Sequence, residues 1–265
     1  MLSEELKNLS GEEVRQLIRE GKWRDATAGV ASGFVQANIL ILPRKYVSDF
    51  MLFCIRNPKP CALIEVLDPG VTSPVNSCRN SDIRFDIPKY RVFENGRMVA
   101  EETDIANYWR EDYVSFLMGC SYTFENALIN SGISIRHIEE GKKVPLYSTN
   151  IACNSVSGID VNMVVSMRPI PYKDLTKTIQ ITSKYPSMHG APIHIGNPAE
   201  IGIEDINTPF LGDPVTIREN EVPVFWACGG TVYNYVEKLK CSLAITHAPS
   251  HMYILDVKDD DFREY

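Results

Sequence analysis

The chain has 265 residues, of which 27 are Lys or Arg and 34 are Asp or Glu, so its formal net charge is −7. This acidic balance argues against a protein that binds nucleic acid or an anionic membrane, because both partners need a basic face to replace their counterions. Hydrophobic residues make up 44% and charged residues 23% of the chain, which is typical of folded soluble proteins and excludes a disordered or fibrous chain.

The first part of the chain predicts helices that alternate with strands. A polar amphipathic helix ends near Gly21, and the apolar run at residues 34–42 predicts a buried strand that Pro43 closes. Residues 46–56 have a helical pattern, and residues 62–67 predict a second strand. This order is the beginning of an alternating α/β pattern.

The central part predicts a hairpin followed by two helical segments. The hairpin turns at the Glu-Asn-Gly sequence of residues 94–96, with apolar residues on both sides. Residues 111–117 have a helical pattern, and residues 122–132 have another that Gly132 ends as a C′ glycine. Ser121 is the predicted N-cap of the second helix.

Two β-α-β units are predicted in the remainder of the chain, which indicates an α/β fold with at least partly parallel sheets. In such sheets, ligands bind beyond the carboxyl ends of the strands. The residues that end these strands, and are therefore site candidates, are Arg168, His194, Cys228 and His247. The predicted elements are strand 162–167, helix 172–182, strand 191–195, strand 222–227, helix 232–240 and strand 243–246.

The seven cysteines and the N-terminal segment indicate the compartment. No CxxC pair is present, so neither a zinc ribbon nor a thioredoxin-like redox pair is indicated. The N-terminal segment lacks the pattern of a signal peptide and is too acidic for a transit peptide, and no apolar run approaches about 18 residues. These features predict a reduced, cytoplasmic protein.

The histidines are the first candidates for a metal site. All five follow residue 136, and four form two close pairs, His189 with His194 and His247 with His251. A straight strand would hold the second pair about 13 Å apart, at about 3.3 Å per residue, and a proline interrupts each pair. Neither pair therefore presents two ligands on one rigid element. A hydrogen-bonded structural imidazole explains each histidine as well as a catalytic role does.

Three further positions have residues suited to binding an anion. If Ser121 caps a helix, the Cys120 thiol lies where backbone N–H groups stabilise negative charge, although an inert thiol at a helix junction is the alternative. Arg168 at a strand end suits capture of a carboxylate by its planar fork, or a structural ion pair. Gly229 begins a Gly-Gly-Thr turn whose N–H groups can donate to an anion. Glu125, on the predicted helix, is either an acid of the site or a solvated residue.

Several segments make the chain similar to a known family. They are GFVQANILILPRKY, FLMGCSYTFENAL, VVSMRPIP, PIHIGNP, EVPVFWACG and ITHAPSHM. In order and without large gaps, from about residue 10 to residue 257, the sequence resembles the D-glutamate cyclase family, whose members are often labelled hydro-lyases. The resemblance implies conversion of D-glutamate to 5-oxo-D-proline and water, by a protein with two intimately packed α/β parts.

The implied reaction assigns roles to the candidate residues. Lactam formation needs a neutral amine, an electrophilic γ-carboxyl group and a proton for the departing hydroxide, and histidine titrates nearest to working pH. The catalytic candidates are His189, His194 and His247, with Glu221 and Cys153 as weaker ones. The substrate-binding candidates are Arg168, Cys120, Ser121, Asn150, Gly229 and His251.

The chain departs from the family pattern near these residues. It has Ser250 where the family more often has glycine, and Gly230 and residues 232–234 differ from the usual VTPQ. Ser148 stands where an arginine is common. If these positions shape the pocket, substrate choice can differ from D-glutamate.

The predicted fold class is α/β, with a layered mixed-sheet domain and a smaller two-layer α/β domain packed against or inserted into it. Residues 1–114 and 216–265 are assigned to the larger domain, and residues 115–215 to the smaller one. We expect the site at their junction, where pockets are common. No cofactor, metal, nucleic acid or membrane is expected as a partner. A small carboxylate substrate and a homodimer are expected.

Two other functions stay open at this point. A metal-assisted lyase or hydrolase would use His189, His194, His247 or Cys153 as ligands. A non-catalytic protein that binds a small carboxylate would use Arg168 and helix N-termini without needing a titratable pair.

Overall fold

The computed structural model of the chain describes residues 4–264, which contain helices, strands and an irregular segment at residues 67–89. The helices are α1 (Glu4–Asn8), α2 (Gly11–Arg19), α3 (Val47–Arg56), α4 (Tyr122–Asn130), α5 (Arg136–Glu139), α6 (Leu175–Thr182) and α7 (Thr231–Leu239). The strands are β1 (Phe34–Pro43), β2 (Leu63–Val66), β3 (Tyr90–Glu94), β4 (Arg97–Glu102), β5 (Tyr113–Gly119), β6 (Leu146–Ala152), β7 (Asn162–Pro171), β8 (His194–Ile195), β9 (Glu221–Ala227), β10 (Ala244–His247) and β11 (Tyr253–Lys258).

The strands form two sheets of different size. The larger sheet has the order β2-β5-β1-β10-β3-β4, with β11 also paired to β1, and the smaller sheet has the order β6-β7-β9-β8. This confirms the predicted α/β architecture of a larger and a smaller unit. The pairings between the described strands are antiparallel, so the expectation of parallel neighbours was wrong. Strands β7 and β8 do run in the same direction around α6, but β9 lies between them.

The other elements named from the sequence are mostly confirmed, including β1, α3, the β3–β4 hairpin, α6 and α4 with its C′ glycine. The helix predicted at residues 111–117 was wrong, because this segment is β5. All seven residues of β5 are buried, since it lies between β1 and β2 and is covered on both faces. A strand buried on both faces has no alternating pattern, so its apolar run resembles a helical one.

Two strands lie in a different sheet from the one that their predicted domain implies. Strand β9 was assigned to the larger domain but pairs with β7 and β8 of the smaller sheet. Most of β5 was assigned to the smaller domain but pairs with β1 and β2 of the larger sheet. The second predicted β-α-β unit is consequently a crossover from one sheet to the other, because β10 is in the larger sheet. The division into two domains stays a prediction.

The apolar core is continuous between the two sheets. One large cluster of buried side chains includes Leu117 and Ile245 of the larger sheet, Phe124 of α4, and Val224 and Trp226 of the smaller sheet. A second cluster covers the other face of the larger sheet with α3 and α7. The junction of the sheets, with α4 between them, is therefore held by burial of apolar surface. No helix within residues 4–264 has the length and apolar character needed to cross a membrane.

Gly119 provides a test of how tightly this junction is packed. A Cβ at Gly119 would lie 1.8 Å from the carbonyl oxygen of Ser187, so Gly119→Ala must displace that turn. We expect Gly119→Ala to lower the free energy of unfolding by about 3 kcal/mol, the upper end for overpacking, in urea denaturation. Gly132→Ala is the control, because its Cβ would meet nothing within 4 Å and costs only the left-handed backbone, about 1 kcal/mol. Equal losses for the two variants would contradict the close packing.

Candidate active site

A cavity lies where a strand of each sheet runs into a helix. Strand β5 continues through Cys120 and Ser121 into α4, and β9 continues through Cys228 and Gly230 into α7. Both turns line one cavity, together with His247 at the end of β10. The empty space among its lining residues, open solvent included, is about 370 Å³. The structure thus brings together side chains that are more than 100 positions apart in the sequence.

Arg168 lies behind this cavity in a buried hydrogen-bond network. Its Nε donates to Oε1 of Glu125 over 2.7 Å, its Nη1 to Oγ of Ser166 over 3.0 Å, and its Nη2 to Oγ of Ser121 over 2.9 Å. A second bond joins Nη2 to the same Glu125 oxygen. Of the two alternatives for Arg168, these contacts are those of the structural ion pair. The guanidinium holds Ser121, which lines the cavity, and has no free fork for a carboxylate.

Glu125 is the buried partner of Arg168. Burial by itself raises the pKa of Glu125, but His137 and Arg168 together hold the pKa below its ordinary value. The Nε2 atom of His137 lies 3.4 Å from the carboxylate. Glu125 therefore stays ionised and neutralises Arg168. Because Glu125 is buried, the alternative that it is a solvated residue of the first helical turn was wrong.

His247 faces two oxygen atoms. Its Nδ1 lies 2.7 Å from the carbonyl of Ala248, and its Nε2 lies 3.0 Å from Oδ1 of Asn38. The amide of Asn38 is oriented by its Nδ2, which donates to the carbonyl of Gly119 over 2.6 Å. Burial lowers the pKa of His247 to about 4, so the ring is neutral at pH 7. A neutral ring has one nitrogen without a proton, and a proton taken up there would be shared with a protein oxygen.

Gly229 makes this arrangement of Asn38 possible. A Cβ on Gly229 would lie 2.4 Å from Oδ1 of Asn38, so only glycine lets the amide reach His247 and Gly119 together. Gly229 was predicted to present N–H groups to an anion. The structure places it in the turn that leads into α7, next to the cavity wall.

The two cysteines of the cavity are protonated thiols at neutral pH. Burial raises the pKa of Cys120 to about 12 and that of Cys228 to about 11. Ser121 stands at the predicted N-cap position of α4, but its hydroxyl makes no cap hydrogen bond. The Ser121 hydroxyl accepts from Arg168 instead. The low thiol pKa expected for Cys120 at a helix N-terminus is therefore overridden by burial.

Ser250 brings a side chain into the cavity from the loop after β10. Its φ is +68°, in the left-handed region that favours glycine, which is the residue more common at this position in the resembled family. The hydroxyl of Tyr122 lies 3.1 Å from Oγ of Ser250. The departure from the family pattern noted in the sequence thus changes the polarity of the cavity wall.

His189 is close to the site but does not line the cavity. It lies in the turn that packs on Gly119, has a φ of +77°, and its Nδ1 lies 2.6 Å from the carbonyl of Lys59. Burial is the main cause that lowers the pKa of His189 to about 4, and the charge of Arg168 acts in the same direction. These contacts are those of a neutral, hydrogen-bonded imidazole.

His194 lies on the opposite face of the smaller sheet from Arg168. His194 is directly opposite Phe225 on β9, whereas Arg168 is opposite Val224. Residues directly opposite on antiparallel strands share a face, and successive residues point to opposite faces. The structure therefore does not bring His194 to the cavity. Its Nε2 lies 2.8 Å from the carbonyl of Asn197.

The remaining candidates are also separated from the cavity. Glu221 forms a buried ion pair with Arg136 and accepts the backbone N–H of Arg218 over 2.8 Å. Cys153 is half-buried after β6, and Asn150 is exposed on β6. His251 lines a neighbouring cavity that it shares with Lys89, Arg91 and Lys143. Within residues 4–264, no group of three or more His, Cys, Asp or Glu side chains is arranged to hold a metal ion.

Sequence reasoning missed Asn38 and gave Cys228 no separate role. Asn38 interrupts the apolar run of β1, and a buried amide must find hydrogen-bond partners, which is a signal that could have indicated it. Cys228 was noted at a strand end, but anion binding was predicted for the glycines that follow it and no role for the thiol. Both residues line the cavity.

Comparison with known proteins identifies a family and several relatives of the chain. A family model described as D-glutamate cyclase matches residues 114–256. A protein of Geobacillus kaustophilus named "Putative hydro-lyase" is 52% identical over 252 residues, which cover 95% of this chain and 96% of that protein. Proteins with the same name are 51% identical in Thermoanaerobacter, over 96% of both chains, and 48% identical in Bacillus subtilis, over 95% of this chain and 98% of that protein.

The Arg168–Glu125 pair predicts how stability depends on pH. Because the folded pKa of Glu125 is lowered, its contribution to stability is present above the ordinary value of about 4.5 and is lost as pH falls through the folded pKa. We expect Glu125→Gln to lower the free energy of unfolding at pH 7 by about 3 kcal/mol, since it leaves Arg168 without a counter-charge. The difference from the unmodified protein should narrow below pH 4 in urea denaturation. Glu12→Gln is the control, because Glu12 is exposed and its loss should change the free energy of unfolding little. If Glu125→Gln changed the free energy of unfolding no more than Glu12→Gln does, the buried ion pair would be contradicted.

Proposed function

The chain belongs to the D-glutamate cyclase family, and we propose that it is a hydro-lyase that closes D-glutamate to 5-oxo-D-proline and water in the cavity between the two sheets. One observation carries the proposal. Two helices that come from different sheets begin at the same cavity, beside a buried neutral histidine. The cavity suits a small molecule that carries two carboxylates and one amine.

The starts of α4 and α7 supply the attraction for carboxylates. Each helix has nine residues, and the dipole of a helix favours an anion at its first turn. The N–H groups of Thr231 and Val232 in α7 already donate to carbonyls of the preceding turn, so the attraction comes from the dipole. Arg168 holds the Ser121 hydroxyl at the start of α4 without touching the ligand, and Glu125 balances its charge. Two helix starts on one cavity fit a ligand with a carboxylate at each end.

The reaction moves protons from the amine to the departing oxygen, but overall it neither consumes nor releases a proton. The amine nitrogen bonds to the γ-carbon and the bond from that carbon to one oxygen breaks. The two protons that the ammonium group loses leave with this oxygen as water. His247, neutral and with one unprotonated ring nitrogen, is the group we assign to carrying a proton between them. A positioned acid or base contributes about 10²- to 10⁴-fold to such a rate, and folding the substrate so that amine and carboxyl touch adds a proximity term.

Turnover of D-glutamate tests the proposal directly. We expect the purified protein to release 5-oxoproline from D-glutamate, detected by chromatography, and His247→Gln to lower kcat by about 10²- to 10⁴-fold because glutamine cannot carry the proton. His194→Gln is the matched comparison, since His194 lies on the far face of the smaller sheet. Equal losses in both variants would contradict the location of the site. A thermal shift with D-glutamate and no turnover would instead indicate a carboxylate-binding protein.

The pH profile tests the state of His247. Since the base must be neutral and burial lowers the pKa of His247 to about 4, kcat/KM should stay level from pH 8 to about 5. It should then fall about tenfold per pH unit below about 4. Circular dichroism at each pH shows whether a fall in kcat/KM comes from unfolding or from protonation of His247. An acid limb near the ordinary histidine value of about 6.5 would show that a less buried group is the base.

A further inference from the structure

Two cysteines occupy the same place in the two strand-to-helix junctions. Cys120 directly follows the last residue of β5, and Cys228 directly follows the last residue of β9. Each is followed within a few residues by a helix, α4 in the first case and α7 in the second. Since β5 belongs to the larger sheet and β9 to the smaller, the two thiols enter the cavity from different sheets. Both line it.

Burial opposes ionisation of each sulfur, but two contacts at each one favour the thiolate. The backbone N–H of Gly230 donates to Sγ of Cys228 over 3.4 Å, and the N–H of Tyr122 acts in the same way on Cys120. An N–H group that points at a sulfur stabilises the thiolate. The charge of Arg168 favours the thiolate form of both cysteines. By contrast, Cys54 and Cys61 are packed in the apolar cluster between the larger sheet and its helices.

Lactam closure as described above uses neither thiol. Two thiols from different sheets line the same small cavity, so one carbon atom of a bound ligand can lie within reach of both. Proton exchange at that carbon needs one group to accept a proton while the other holds one, and the minor form with one thiolate meets this need.

We propose that Cys120 and Cys228 are an acid–base pair that inverts the configuration of the bound ligand at its α-carbon. The thiolate of one cysteine takes the α-proton, and the electron pair of the broken C–H bond passes into the adjacent carboxyl group. The thiol of the other cysteine then gives its proton to the opposite face of the carbon. The two sulfurs exchange roles, the D and L forms interconvert, and no oxidant or reductant is consumed. The identity of the ligand, glutamate or 5-oxoproline, rests on the proposed function.

The exchange should be slow at neutral pH and faster in base. Burial raises the pKa of both thiols, so the form with one thiolate is a minor one that grows about tenfold per pH unit between pH 7 and 10. The other titratable or charged groups that act on the two sulfurs or share the cavity are Glu125, Arg168, Cys61, Tyr122, Tyr233 and His247. Of these, Arg168 favours the thiolate and Glu125 opposes it at Cys120.

Hydrogen exchange in D₂O tests the proposal. The full-length protein is incubated at pH 7 and pH 9 with D-glutamate, L-glutamate or 5-oxoproline, each in a separate sample. Proton NMR follows loss of the α-proton signal, and chiral chromatography follows the opposite enantiomer. We expect deuterium at the α-carbon together with inversion, both faster at pH 9. A ligand that keeps its α-proton in all three samples overturns the proposal.

Two variants test the pair. Inversion needs both sulfurs, so Cys120→Ser and Cys228→Ser should each lower its rate by about 100-fold or more. Cys241→Ala is the control, because Cys241 is buried in the apolar cluster against α7 and should leave the rate unchanged. Circular dichroism checks that each variant is folded. If a variant does not fold, hydrogen exchange in the unmodified protein still tests the proposal. Inversion that survives either serine variant at full rate overturns the role of the pair.

The outcome can be separated from that of the proposed function. Release of 5-oxoproline without α-proton exchange would refute the thiol pair and leave the cyclase proposal standing. Exchange and inversion without lactam formation would support the pair and refute cyclisation.

Discussion

The arrangement of the whole site depends on one buried charge. Arg168 lies on β7 with no access to water, and its guanidinium lies 5.4 Å from the ring centres of Phe124 and Trp226. Such a charge is tolerated only next to a counter-charge with good hydrogen bonds. Glu125 supplies it from α4, the helix that follows β5 of the larger sheet. The pair therefore sets the position of α4 against the smaller sheet, and with it the end of the helix at which the cavity opens.

Much of the fold could be predicted because its signals are local. The apolar run of β1, the Glu-Asn-Gly turn of the β3–β4 hairpin and the glycine after α4 each indicate one element with little ambiguity. The choice of partner is not local. Strand β9 has the same apolar character as a strand of the larger sheet, and nothing in its periodicity says which sheet it joins. The same limit explains β5, whose burial on both faces comes from neighbours distant in the chain.

The site was predictable to the extent that it consists of strand ends. Cys228 and His247 were named from that rule, and Cys120 and Ser121 from a predicted helix N-terminus. The structure brings all four to one cavity. The rule fails for His194, because it says where a strand ends and not which face a side chain takes, and one residue of register reverses that face. It also cannot tell that the guanidinium of Arg168 is already occupied. That knowledge requires the position of Glu125, which depends on the packing of α4.

The backbone at Ser250 places a conformational cost at the wall of the cavity. A side chain in the left-handed region costs about 1 kcal/mol relative to glycine, and here the side chain has one hydrogen-bonding neighbour, the Tyr122 hydroxyl. Backbone strain at a cavity wall points to a role of the side chain in the cavity and not in packing. Residue 250 lines the cavity and is not part of the apolar core. A substitution at this position is therefore expected to change ligand preference while the fold is maintained. Laboratory evolution of specificity would begin most economically there.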